Sequence, residues 1–236
     1  MLMKRLHPWA LSPKEAIALQ RELAGDVDCT RDIDASTLRT IAGVDVSSTR
    51  FSSLLTAGVV VWDSETGRIL ETTFIEEHGA FPYIPGLLSF REIPSLSRAI
   101  EALKIRPDLF LIDGQGIAHP RGMGIAAHLG LLIDVPTVGV AKSLLCGETS
   151  VSEAAGASAP ILYHDKTIGV ALRSKANANP IYVSPGNGIS IHSAVEAAKR
   201  CLRGYRLPEP TRLAHLHVNA ARTTGHGLPV SQETLL

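Results

Sequence analysis

The 236-residue sequence predicts an α/β protein, a mixed sheet of three antiparallel strands followed by parallel ones, with helices on its flanks. Two observations carry this. Three strand-like runs, residues 38–45, 54–62 and 69–75, follow one another across short turn-rich links, and links that short favour antiparallel pairing. Beyond them helical spacing alternates with short, continuously apolar strands, the pattern of parallel strands covered on both faces.

Ser12-Pro13-Lys14-Glu15 is a capping box with proline at the first helical position, so a helix should start there, reach Ala24 and stop at Gly25. Asp26, Asp28, Asp32 and Asp34 follow at alternating spacing, but the glycine and distal glutamate of a calcium loop are missing, so they are read as solvated loop residues. Residues 63–67 (Asp-Ser-Glu-Thr-Gly) form the hairpin loop between the second and third strands. Leu96, Ala99, Ile100 and Leu103 mark a second helix, followed by a strand at residues 109–112. Ile125, Ala126, Leu129 and Leu132 mark a third helix, and residues 136–141 another buried strand. A hairpin is expected around Asp165-Lys166, and a helix carrying Ile191, Ala194, Val195, Ala198 and Leu202 should end at Gly204. Pro208 to His215 reads as a proline break, a Thr211 cap and a short helix. No internal repeat or low-complexity linker divides the chain, so residues 1–236 are expected to form one domain.

Composition narrows the class. Three scattered cysteines (Cys29, Cys146, Cys201) without a CxxC pair argue against a disulfide framework or zinc ribbon and for a reducing, cytoplasmic setting. No signal core precedes the first helix. The longest run without Asp, Glu, Lys or Arg, residues 176–195, contains Asn177, Asn179, Pro180, Pro185 and Asn187, which a bilayer span tolerates poorly. A protein without membrane contact is expected, with a monomer as the default. The 23 basic and 23 acidic side chains cancel, which first argues against a nucleic-acid partner. Yet residues 1–118 hold 12 basic and 16 acidic side chains, a net −4, and residues 119–236 hold 11 and 7, a net +4. Arg173, Lys175, Lys199, Arg200, Arg203, Arg206, Arg212 and Arg222 are opposed in their segment only by Glu196 and Glu209. Such a segment is either a face for a polyanion or an Arg-rich solvated surface.

Two apolar strands end in a carboxylate: Ile41-Ala42-Gly43-Val44 runs into Asp45, and Leu109-Phe110-Leu111-Ile112 into Asp113. Either aspartate alone could simply open a turn. On neighbouring strands they converge at one sheet edge, where like charges call for a divalent cation. Glu92 is the third candidate, placed in the aromatic and proline-rich segment 81–92 ahead of the second helix. Pro82 and Pro85 stiffen the backbone around Tyr83 and Ile84, giving either a wedge for stacked bases or a loop packed on the core. The glycine-rich run 113–124 follows a strand, but His119 occupies the third glycine position of a dinucleotide fingerprint and Pro120 spoils the helix entry. Its glycines can still let backbone approach a flat ligand. His119 and His128 are either ligands or hydrogen-bonded core residues. Lys142 follows a strand on the same edge and can hold a phosphate. His215 either completes a metal site or is a surface histidine.

Taken together these segments resemble endonuclease V, the family that nicks nucleic acid near deaminated adenine. The resemblance rests on Ala42-Gly43-Val44-Asp45, Pro82-Tyr83-Ile84-Pro85-Gly86 with Ser89-Phe90-Arg91-Glu92, Asp113-Gly114-Gln115-Gly116, His119-Pro120-Arg121, Val138-Gly139-Val140-Ala141-Lys142-Ser143, and Gly204 through Arg212, in family order.

The resemblance implies a ribonuclease H-like fold and a catalytic set of Asp45, Glu92, Asp113, Lys142 and His215, with Mg2+ or Mn2+ held by Asp45, Asp113 and Glu92. It implies a strand-separating wedge at Pro82, Tyr83, Ile84 and Pro85, and a pocket for the everted base walled by Gly86, Leu88, Gly114, Gly124 and Ile125. Arg91 and His119 would belong to the substrate site, and Lys142 would hold a phosphate near the scissile bond. The implied reaction is hydrolysis of the second phosphodiester 3′ to hypoxanthine in DNA or RNA, leaving 3′-hydroxyl and 5′-phosphate. A non-cleaving inosine binder gains nothing from clustered carboxylates, and a nuclease without lesion preference needs neither wedge nor pocket. Two positions depart from the family pattern: Ser48 stands where an aromatic is common, and His215 where some relatives carry Asp.

Overall fold

A computed structural model describes residues 3–48 and 52–230. Among the described residues eight strands form one sheet: β1 (Thr40–Ser48), β2 (Leu54–Asp63), β3 (Ile69–His78), β4 (Leu109–Ile112), β5 (Thr137–Ala141), β6 (Ser158–Tyr163), β7 (Lys166–Leu172) and β8 (Ile181–Asn187). The same residues form the α-helices α1 (Pro13–Leu23), α2 (Leu88–Glu101), α3 (Ile125–Leu132), α4 (Ile191–Arg200) and α5 (Glu209–Thr224). The spatial order is β3-β2-β1-β4-β5-β8-β7-β6. Strands β1 to β3 are antiparallel, and β4 and β5 add in parallel beside β1. That agrees with the ribonuclease H-like arrangement expected from the resemblance.

Side-chain alternation along the central strands builds two cores. Ala42, Val44, Phe110 and Ile112 pack with α2 and α3 on one face. Ile41, Leu109, Leu111 and Val138 pack with α4 on the other, where Leu213 of α5 joins them. The same alternation carries Asp45 and Asp113, two residues beyond Gly43 and Leu111, toward the α4/α5 layer. Helix α1 begins where the capping box requires, with Ser12 N–H donating to Glu15 Oε2 at 2.7 Å.

Three local expectations change and a fourth is sharpened. Glu92 was placed before the second helix, but α2 starts at Leu88, so Glu92 rides on it and Pro94 lies inside it. A proline usually marks a first helical turn because it lacks the N–H, and here it sits later, forgoing one backbone hydrogen bond. Helix α5 has 16 residues instead of being short, and the Thr211 hydroxyl donates back to Pro208 O at 2.9 Å instead of capping the helix. The hairpin turn falls at His164-Asp165, with φ of 48° and 59°, the left-handed pair that a two-residue turn requires. Strand β8 was not anticipated. Pro185 hides it, and the sheet accommodates that residue where the β5–β8 register shifts between Thr137 and Val138. Among the described residues no helix is long and apolar enough to cross a membrane.

Candidate active site

Asp45 and Asp113 do converge. Val44 and Ile112 are direct partners on the adjacent parallel strands β1 and β4, so the aspartates that follow them emerge side by side. Helix α5 adds a third group because Gly43 lets it approach. A Cβ at Gly43 would lie 1.8 Å from Pro210 O, so only glycine allows this contact. His215 Nδ1 then lies 2.9 Å from Asp45 Oδ2. Asp45, Asp113 and His215 offer ligand atoms all within 4.8 Å of one another, an arrangement able to hold a cation. Asn219 Nδ2 donates to His215 O at 2.9 Å and fixes the histidine's turn of the helix.

Glu92 is not among those three, but it reaches the same edge from the opposite layer and feels both aspartates. Burial, then the charges of Asp45 and Asp113, push its carboxyl up to about 8. Burial and Asp45 raise Asp113 as well, against the opposing pull of Lys142. Lys142 at the end of β5 forms an ion pair with Asp113, whereas the sequence reading gave it only to phosphate. His215 is raised by its hydrogen bond to Asp45. Carboxylates this costly to ionise, with one lysine to balance them, suit a divalent cation.

Beside this cluster opens a cleft of about 340 Å³. Gly86, Leu88, Gly114, Gly124 and Ile125 all line it, as do Tyr83, Ile84, Pro85, His119, Asp113 and Lys142. Tyr83 stands 70% exposed at its rim, so the loop is not folded onto the core through that residue. The loop rests on a turn closed by Leu87 N–H to Ile84 O at 2.9 Å, with Pro85 second and Gly86 third at φ +79°, the residue pattern of a type II turn. The Gly86 carbonyl accepts from Gln20 Nε2 at 3.1 Å, His119 Nε2 at 3.1 Å and Arg121 Nη2 at 2.7 Å.

His119 is therefore a structural donor. Burial and Arg121 lower it to about 4, so it stays neutral near pH 7. His128 is likewise a core residue, 3.1 Å from Ser89 Oγ and 2.7 Å from His7, and burial lowers it to about 3. Arg91 points away from the cleft, donating to Phe81 O and Ser52 O at 2.8 and 3.0 Å, which braces the loop from behind. Pro82 is exposed at the loop's start. Ser48 lies exposed at the end of β1, paired with Leu55. The bracing residue Gln20 and the lining residue Leu145 lie outside the motifs read from sequence, and Arg121, Gln115 and Ser143 stand in those motifs without an assigned role. Gln20 left a signal: with Ala16 and Leu23 it is buried on one face of α1, a glutamine in an otherwise apolar stripe.

The basic segment does not present eight free cations. Arg206 donates to Asn179 O, Pro180 O and Lys142 O, and Arg203 to Arg200 O, Leu202 O and Ser64 O. Arg173 donates to Ser152 O and Ala178 O, Arg222 to Ser47 Oγ, and Arg212 and Lys199 pair with Glu209 and Glu196. These residues mostly tie loops to the sheet.

Comparison with known proteins bears on this geometry. Residues 21–216 match the family model of endonuclease V. A curated endonuclease V of Gloeobacter violaceus is 45% identical over 221 residues, spanning 92% of this chain and 89% of its own. The crystal structure of endonuclease V from Bacillus subtilis superposes with a TM-score of 0.89 at 28% identity, covering 94% of this chain and 98% of that one. Ciona intestinalis endonuclease V, solved with a 24mer DNA containing an inosine followed by a ribo-adenosine, gives a TM-score of 0.75 at 25% identity, with 86% and 94% covered.

Proposed function

The chain belongs to the endonuclease V family of nucleases, and from that premise we propose that it hydrolyses the second phosphodiester bond 3′ to hypoxanthine, leaving 3′-hydroxyl and 5′-phosphate. The observation that carries the reading is the Asp45–Asp113–His215 cluster at the mouth of a glycine-walled cleft fronted by Tyr83. The cleft suits a base turned out of its stack, and a base weakened in pairing by deamination is the least costly to turn out. Tyr83 and Ile84, held on the Gly86 turn, fill the gap that base leaves. Discrimination falls to backbone around Gly114 and Gly124, and a wall too close for a 2-amino group excludes guanine.

Asp45 and Asp113 would hold a divalent cation. Mg2+ prefers oxygen ligands, which favours Glu92 as the third donor and leaves His215 to orient Asp45, whereas Mn2+ also accepts imidazole. When bound, the ion supplies charge neutralisation at the scissile phosphate and lowers the pKa of water. Glu92 keeps its proton near neutral pH without a cation, and the cation it would help to hold would favour its ionised form. Lys142, once Asp113 is otherwise neutralised, turns its ammonium to a phosphate oxygen. Water attacks phosphorus and gives a proton to solvent, the bond to the 3′ oxygen breaks, and that oxygen takes a proton from solvent and leaves as the hydroxyl.

The partner is inosine-containing DNA, with RNA as the other arm of the test, acted on by a monomer of one domain in the cytoplasm. The test incubates the protein with inosine-containing and matched control DNA and RNA, in Mg2+, Mn2+ or EDTA. An inosine-dependent nick in metal and none in EDTA is expected. Equal cutting of control strands would remove the lesion preference, and cutting in EDTA the cation.

A further inference from the structure

We propose that Tyr205, held against Arg212, is a stacking platform for the base immediately 3′ of the cut. The proposal rests on the reading that the lesion base enters the cleft and its strand crosses the carboxylate edge. The cleft opens on the α2/α3 face, lined by Leu88 and Ile125. Asp45 and Asp113 stand at the sheet edge, and His215 meets them from α5 on the opposite face. A strand that seats its base in the cleft and its phosphate at the carboxylates therefore continues toward α5.

On that path stands Tyr205, 49% exposed in the link between α4 and α5. Two contacts fix its place. Its neighbour Arg206 donates to the backbone oxygen of Lys142 at 2.6 Å, tying the link to the catalytic edge. The Arg212 guanidinium carbon lies 4.1 Å from the Tyr205 ring centroid, and Arg212 is one helical turn ahead of His215.

The chemistry selects a base over a phosphate. Glu209 grips Arg212 at 2.6 and 2.8 Å through both oxygens, so its charge is balanced and its plane is held over the ring. What remains is an aromatic surface braced by a guanidinium, a sequence-tolerant partner for a nucleobase. The strand product leaves with that base, so the platform acts mainly on affinity.

Two measurements test it. In the first, KM and kcat are compared for inosine strands bearing either a normal or an abasic nucleotide immediately 3′ of the cut. Tyr205→Ala is expected to raise KM about tenfold on the normal strand with kcat held, and to change nothing on the abasic one. Tyr205→Phe, which keeps the ring, should recover the affinity. Equal effects on the two strands, or none on either, overturn the proposal. In the second, 2-aminopurine at that nucleotide should be quenched by the wild-type protein and not by Tyr205→Ala, a readout independent of cutting. Quenching that depends on Tyr205 without any inosine-dependent nick would sink the catalytic reading and spare the platform. Normal nicking without such quenching would do the reverse.

Discussion

Glu92→Gln should stabilise the metal-free protein, and only at high pH. The glutamate is pushed from 4.5 to about 8 by burial and by two aspartates, so the native chain holds its proton more tightly than the unfolded chain does. Between those values the folded state binds more protons than the unfolded state, and stability falls as pH rises. Below 4.5 both states are protonated and above 8 both are ionised, so the penalty is absent at the low end and complete at the high end. At ~1.4 kcal/mol per pKa unit the full shift corresponds to about 5 kcal/mol, an upper bound because solvent relaxation offsets part of it. Urea unfolding in EDTA at about pH 5 and about pH 8.5 reads this directly as a change in midpoint at constant slope. Added Mg2+ should reverse the order, since the wild-type protein keeps the ligand that the variant lost. A gain of equal size at both pH values, or a loss at the higher one, would refute the claim that burial and the two aspartates make ionised Glu92 costly here.

Asp45→Asn and Asp113→Asn should each abolish nicking while inosine-containing strands still bind, as gel shift in EDTA and in metal would show; retained cutting by either removes that residue from the cation site. Tyr83→Ala should leave the unfolding free energy within ~0.5 kcal/mol of wild type, because the side chain is 70% exposed, yet weaken lesion binding about tenfold. If calorimetry shows its metal affinity falling instead, Tyr83 belongs to the cation site and not to a wedge. Gly43→Ala places a methyl 1.8 Å from Pro210 O, so α5 must shift, at a cost of about 1–3 kcal/mol, and His215 must part from Asp45. Thermal melting and activity well below the melting point should both fall, and an unchanged melt would show that α5 adapts freely.

Much of the site was written locally. Two apolar strands each ending in an aspartate, a doubly proline-stiffened tyrosine loop and a glycine-rich run are contiguous patterns, and the cleft gathers them as those patterns imply. The capping box of α1 and the antiparallel opening of the sheet were equally plain, because hydrogen bonding and side-chain alternation within a dozen residues dictate them. Pro94 inside α2 and Pro185 inside β8 lie in elements whose local signal they weaken. A proline weakens a helix or strand signal, and only the surrounding contacts decide whether the element absorbs it.

What the tertiary structure alone decided is convergence across sequence distance. Gln20, His119 and Arg121 meet on one Gly86 carbonyl, and no periodicity relates those positions. His215 reaches Asp45 across 170 residues because Gly43 leaves room for a helix backbone. The basic segment shows the same limit. Its charges were countable in the sequence, but whether they faced solvent or their own carbonyls depended on where the loops between α4, β5 and β8 came to lie. Charge and alternation belong to the chain as written. Burial and partnership arise only when distant segments exclude water from one another, and they set the pKa of Glu92 and the partner of Lys142.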